Sequence, residues 1–301
     1  MTAEGLPDLD FFVIGAYKAA TTTLHYALRS HPDVFVPRRK EPSYLAYVGL
    51  SPEEVRTNPA HSTSVTSRDE YRSLYERPES STRLCGDVSP EYLKNERCAA
   101  TIKTYYPQAR LIAILREPVS RAFSDYLMYR RDGLEPLDEF AAALDDQANR
   151  SGQANGQYLE TGMYGKQLAR YYDLFDDDQI LVLLQEDLKS DRDIVLARLA
   201  DFLNISPTGF EDSPDESNRS GVPTSTIAKA AWAVRRSLRG TAKYLPEDAK
   251  RFIDRQLQKG LDRPELSQAD RTRLAGYFWD DIERVEALTD LDLSRWKVTA
   301  P

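Results

Sequence analysis

Phe11-Phe12-Val13-Ile14-Gly15 runs directly into Ala16-Tyr17-Lys18-Ala19-Ala20-Thr21-Thr22-Thr23-Leu24, and this stretch decides the fold. A short, wholly apolar run ending in glycine reads as a buried strand, and residues 22–30 then read as a helix. Backbone N–H groups at a helix N-terminus, with a lysine and small hydroxyl residues beside them, form a cradle for an anion. The ATP-type phosphate loop requires G-x-x-x-x-G-K-[ST]. Here the lysine stands three residues after Gly15, and Thr21 stands where that motif places its lysine, so this is not the ATP motif. A strand–loop–helix turn that binds nothing is the alternative for the same residues.

Working outward, Leu111-Ile112-Ala113-Ile114-Leu115 and Ile180-Leu181-Val182-Leu183-Leu184 are two further buried strands. Shorter extended segments are expected at 34–36 and 84–87. Helical sequence fills 91–105, 119–131 (with Pro118 suited to the first turn), 136–149, 165–175 and 193–203. Strands apolar throughout, alternating with helices, imply an α/β protein whose parallel β-sheet is flanked by helices on both faces. Residues 46–80 are polar and irregular and read as an insertion or flap. Residues 206–226 read as a loop, and 227–301 as a helical C-terminal part in which Ser267 and Asp270 resemble a capping box. Nothing demands a second domain, so 1–301 is read as one.

The chain has 301 residues, 41% hydrophobic and 29% charged, an ordinary globular composition. A net charge of −8 argues against nucleic-acid binding but permits a local basic patch. Cys85 and Cys98 are too few for a disulfide framework or a cysteine-rich metal site. The opening MTAEGLPDLD lacks a basic region followed by an apolar run, and no stretch is long enough to span a membrane, so the expectation is a cytoplasmic protein. Oligomeric state is not legible.

Lys18 to Leu24 resembles the 5′-phosphosulfate loop, K-x-G-T-[TS]-x-L, of sulfotransferases that use 3′-phosphoadenosine-5′-phosphosulfate (PAPS), with Ala20 in the usual glycine position. If that position needs positive φ, Ala20 is strained; if it is already helical, alanine costs little. Leu111 to Pro118, continuing to Ser124 and Tyr126, is similar to the family's 3′-phosphate-binding strand and helix. Lys40-Glu41-Pro42-Ser43-Tyr44-Leu45, Asp87-Val88-Ser89-Pro90-Glu91-Tyr92, the segments 158–164 and 181–188, and Leu291-Asp292-Leu293-Ser294-Arg295-Trp296 resemble other parts of the heparan-sulfate-type and bacterial branch. The resemblance covers most of 11–205 plus the C-terminus. It implies a P-loop-like parallel sheet, PAPS as donor and PAP as product. Tyr17, Lys18, Ala19, Ala20, Thr21, Thr22 and Thr23 would hold the 5′-phosphosulfate, and Arg116 and Ser124 the 3′-phosphate. Arg219 would close over that phosphate from the late loop.

The resemblance further implies that Lys18 stabilises charge on the oxygen bridging sulfur and phosphorus, and that Glu41 takes the acceptor's proton, with Asp87 in reserve. His25, His31 and His61 do not follow the 84–87 strand, where a catalytic histidine is expected. Tyr44, Tyr92 and Tyr164, with Glu41, are candidates to line an acceptor pocket. The acceptor is a carbohydrate, lipid or natural product bearing a hydroxyl or amine. A sulfuryl group carries less charge than a terminal phosphate, so no metal is required. Local alternatives stay open: Arg116 paired with Glu117 or Asp125, and Glu41 as a surface carboxylate paired with Arg38, Arg39 or Lys40. Two functional alternatives also stand, a phosphate-loop kinase acting on a small molecule and a catalytically inactive nucleotide-binding protein.

Overall fold

The computed structural model describes residues 5–56, 64–76, 83–150, 156–211, 221–237, 253, 256–257 and 260–297. They gather into two compact units. The first lies within Met1–Pro118, Met163–Ser213 and Tyr277–Val298, the second within Val119–Gly162 and Pro214–Gly276.

The first unit contains the sheet. Its strands are β1 (Phe11–Gly15), β2 (Val34–Phe35), β3 (Leu84–Val88), β4 (Arg110–Leu115) and β5 (Ile180–Leu184), in the order β2-β3-β1-β4-β5 with every pairing parallel. The helices that accompany it are α1 (Thr21–Ser30), α2 (Pro52–Arg56), α3 (Arg68–Ser73), α4 (Glu91–Lys94) and α5 (Cys98–Tyr105). Alternate residues of β1 serve opposite faces, as strand geometry requires. Phe11 and Val13 join Leu24 and Leu28 of α1 in one buried cluster, which also holds Ile112, Ile114, Val195, Leu199 and Leu203. Phe12 packs on the other face, its ring 6.1 Å from that of Tyr92 and 5.1 Å from that of Tyr106. Both faces are therefore covered, which explains why β1, β5 and residues 111–115 of β4 are apolar throughout.

The second unit takes up α6 (Pro118–Arg131) from Val119 onward, and α7 (Phe140–Asp145). Arg121 is fully buried there, paired with Asp125 at 3.1 Å and donating to the Tyr158 carbonyl. The chain then supplies α8 (Tyr164–Tyr172), α9 (Gln185–Ser190) and α10 (Arg192–Leu203) to the first unit. In the second unit, β6 (Val222–Pro223) pairs antiparallel with β7 (Leu261–Asp262), and α11 (Thr226–Ser237) lies between them in sequence. The last helix, α12 (Gln268–Thr289), opens on the expected cap. The Asp270 amide donates to Ser267 Oγ at 3.1 Å, and the Ser267 hydroxyl donates to Asp270 Oδ2 at 2.7 Å.

Several element boundaries differ from expectation. The single helix read at 91–105 is two, because the Asn95 side chain accepts the Arg97 amide at 3.0 Å and so competes with helical pairing. Residues 46–80 include α2 and α3, the latter capped by Ser67 accepting the Glu70 amide. The helix read at 193–203 is preceded by α9, which leaves β5 with no intervening loop.

Candidate active site

β1 ends at Gly15, where a Cβ would lie 2.5 Å from Leu93 Cβ, so only glycine allows α4 to approach the strand end this closely. The Ala16 amide donates to the Ile114 carbonyl at 2.7 Å and ties the following loop to β4. The loop then turns through two left-handed residues, Lys18 (φ 65°) and Ala20 (φ 71°), before α1 opens at Thr21. The first-turn N–H groups of a helix have no intrahelical acceptors and carry the positive end of its dipole. This is the geometry of an anion cradle.

Side chains from the ends of neighbouring strands converge on the loop. Lys40, in the segment leaving β2, donates from Nζ to Thr22 Oγ1 at 2.9 Å. Arg116, directly after β4, donates from Nη1 to the Lys18 carbonyl at 3.2 Å. The sequence continues from β1 toward one edge of the sheet and from β4 toward the other. Lys18 and Arg116 thus stand at the topological switch point, beyond the carboxyl ends of the strands, where open α/β sheets bind ligands.

Glu41 is half-buried and also left-handed (φ 54°). Burial raises its carboxyl above the ordinary carboxylate range; the charges of Lys40 and Lys18 oppose this, and Glu91 adds to it. Glu91 is itself buried and pairs with Lys94 at 3.3 Å, and the Lys94 ammonium lies 4.8 Å from the centre of the Tyr17 ring. Lys18, Lys40, Glu41 and Glu91 therefore share one electrostatic environment. Sequence reading missed the bond from Lys40 to Thr22, because Lys40 was part of an Arg38-Arg39-Lys40 run that reads equally well as a solvated charge cluster. Arg39 of that run bonds Glu70 at 2.6 Å instead. Asp125, an alternative partner for Arg116, is engaged by Arg121.

Other named residues take different places. Asp87 is fully buried and accepts from Tyr71, Tyr92 and Ser89. Tyr44 stacks on Tyr71 at 4.6 Å, the Tyr92 hydroxyl is held by Asp87, and Tyr164 is buried 6.3 Å from the Trp296 ring. These three tyrosine rings are packed in the interior rather than spread around an opening. Ser124 lies on α6 in the second unit and is buried. His25 bonds the Pro37 carbonyl at 2.9 Å, and burial lowers its pKa to about 4, so it is a neutral strut at neutral pH. His31 bonds the Ser206 carbonyl at 3.0 Å. His61 and Arg219 lie outside the described residues.

Residues 10–211 match the model of the sulfotransferase family. Among curated relatives, carbohydrate sulfotransferase 15 of Homo sapiens is 25% identical over 250 residues, covering 65% of this chain and 44% of the relative. The chain thus spans less than half the length of that protein. A sulfotransferase structure from Alicyclobacillus acidocaldarius matches with a TM-score of 0.73 at 25% identity, covering 97% of this chain and all of that one. Mouse sulfotransferase SULT7A1, solved in complex with PAP, has the same fold at a TM-score of 0.54 and 15% identity, covering 97% of this chain and 90% of that one. One relative corrects the expectation of a cytoplasmic protein. The membrane-associated sulfotransferase kil1 of Dictyostelium discoideum is 30% identical over 117 residues, covering 39% of this chain and 22% of its own length. A lack of long apolar runs therefore does not assign a compartment. Among the described residues no helix is long and apolar enough to cross a membrane.

Proposed function

The chain belongs to the sulfotransferase family, and on that premise we propose that it moves a sulfuryl group from PAPS to a hydroxyl or amine of a carbohydrate acceptor. The observation that carries this reading is the convergence of Lys18, Lys40, Arg116 and the α1 N-terminus on one loop, with Glu41 in the same electrostatic environment. The fold of a sulfotransferase solved with PAP supports the donor, and the relative named as a carbohydrate sulfotransferase supports the acceptor class.

Transfer of this kind is an in-line displacement in which positioning and charge stabilisation dominate. The acceptor oxygen or nitrogen bonds to sulfur as the bond from sulfur to the bridging oxygen breaks, and PAP leaves with that oxygen. The Lys18 ammonium and the first-turn amides of α1 stabilise the charge that develops there. Arg116 anchors the loop through the Lys18 carbonyl and is placed to receive the 3′-phosphate. The acceptor's proton passes to the Glu41 carboxylate, which burial makes a stronger base than an exposed glutamate.

The test is transfer of label from radiolabelled PAPS to a panel of chondroitin, heparosan and N-deacetylated heparosan oligosaccharides. Label on a sugar is expected, and its absence from the whole panel overturns the carbohydrate reading. Glu41→Gln is expected to leave PAP affinity within a few-fold and lower turnover by about 10² or more. Turnover by the native enzyme falls in acid as Glu41 protonates, and because its pKa is raised this limb lies above the usual carboxylate range. Near-normal turnover by Glu41→Gln would remove Glu41 as the base.

A further inference from the structure

We infer that Asp87 is a positioning residue: it orients three hydroxyl-bearing side chains that hold residues 43–45, and so fixes where Glu41 stands. The inference rests on Glu41 as the base. Asp87 sits on β3 with no exposed surface, and both of its oxygens are occupied. Oδ1 accepts from Ser89 Oγ at 2.6 Å, and Oδ2 accepts from the hydroxyls of Tyr71 and Tyr92, each at 2.7 Å. A base for the acceptor must be reached by the acceptor, and this carboxyl has no exposed surface.

The same contacts connect Asp87 to the segment that carries Glu41. Each of these hydroxyls donates inward to the carboxyl oxygens, and its own lone pairs then face outward. Those lone pairs are used: Ser89 Oγ accepts the Ser43 amide at 3.0 Å, and the Tyr92 hydroxyl accepts the Leu45 amide at 3.4 Å. The third donor, Tyr71, stacks its ring on Tyr44 at 4.6 Å. Three consecutive residues are thus held by three groups that one carboxylate orients.

The segment needs such support. Glu41 and Ser43 both have left-handed backbone, at φ 54° and 55°, with Pro42 between them. Non-glycine residues hold that conformation only where their surroundings over-determine it. An asparagine at position 87 offers one acceptor and one donor group. At least one hydroxyl would then have to reverse and accept from the asparagine NH2, which competes with the Ser43 or Leu45 amide for that oxygen and disturbs its geometry.

The experiment uses the full chain with PAP as the ligand, and three readouts: PAP affinity, amide hydrogen exchange at Ser43 and Leu45, and the titration of Glu41. The last is followed by NMR of carboxyl-labelled glutamate and assigned by the signal missing from Glu41→Gln. In Asp87→Asn, exchange at the two amides is expected to rise on the order of tenfold or more, with β1 and β4 unaffected. The Glu41 midpoint should shift as its place relative to Lys18, Lys40 and Glu91 changes, while PAP affinity stays within about threefold. Unchanged exchange and an unchanged midpoint in folded Asp87→Asn overturn the inference. Equal acceleration throughout the sheet also overturns it, since that reports core stability alone. If Asp87→Asn does not fold, Tyr92→Phe removes only the hydroxyl between Asp87 and the Leu45 amide, and Ser89→Ala only the one that meets Ser43. Each must release its own amide, or the inference fails. None of these readouts depends on turnover, so a failure of Glu41 as the base, seen in Glu41→Gln, stays distinguishable.

Discussion

Ala20 concentrates the residue-scale physics of the loop. Its φ of 71° and ψ of 22° put it in the left-handed region, where a Cβ crowds the carbonyl oxygen at a cost of about 1–2 kcal/mol. The turn forms nonetheless, because the Ala16 amide bond to β4 and the Arg116 bond to the Lys18 carbonyl hold it from both sides. Ala20→Gly should therefore raise the urea midpoint at an unchanged m-value, corresponding to a gain of about 1 kcal/mol, partly offset by glycine's greater freedom in the unfolded chain. A lower midpoint would mean that the methyl group makes contacts worth more than the strain. The sequence identified this position as the departure from the family loop, but not whether alanine is strained there. That depends on φ, which the sequence alone left open.

At the scale of elements, the strand–loop–helix unit works because α4 lies against the end of β1. Gly15→Ala would place a methyl carbon 2.5 Å from Leu93 Cβ and 2.7 Å from Leu93 Cδ2, both part of a buried side chain. Overpacking of this kind typically costs 1–3 kcal/mol. Thermal unfolding of Gly15→Ala should shift down accordingly, and PAP binding should weaken because the loop starts from the displaced residue. An unchanged melting temperature would show that α4 yields without penalty. The apolar runs at 11–15, 111–115 and 180–184 were legible as strands because nothing but burial on both faces accounts for them. The break between α4 and α5 was not, because it turns on one Asn95 side chain bonding the Arg97 amide, a contact with no periodicity.

For the whole molecule, a chain of net charge −8 gathers Lys18, Lys40 and Arg116 around a single loop, and this local balance, not the total, governs an anionic ligand. PAP at a hundred times its dissociation constant should stabilise the chain by about 2.7 kcal/mol, read as a rise in melting temperature, while ATP at the same concentration should not. Transfer of label should survive a chelator. Stabilisation by ATP alone, or activity lost with EDTA and restored by Mg²⁺, would point to a kinase instead. The sequence by itself determined the parallel sheet, the loop after β1 and the family, since each is written in short contiguous runs whose hydrophobicity and residue types act over a few positions. Only the tertiary structure decided that Lys40 reaches Thr22, that Arg116 holds the Lys18 carbonyl, that Tyr44, Tyr92 and Tyr164 are interior, and that Asp87 is enclosed by hydroxyls. The partners in the first two bonds are 18 and 98 residues apart. Strand order brings such residues together, and local propensity carries no record of which strand will lie beside which.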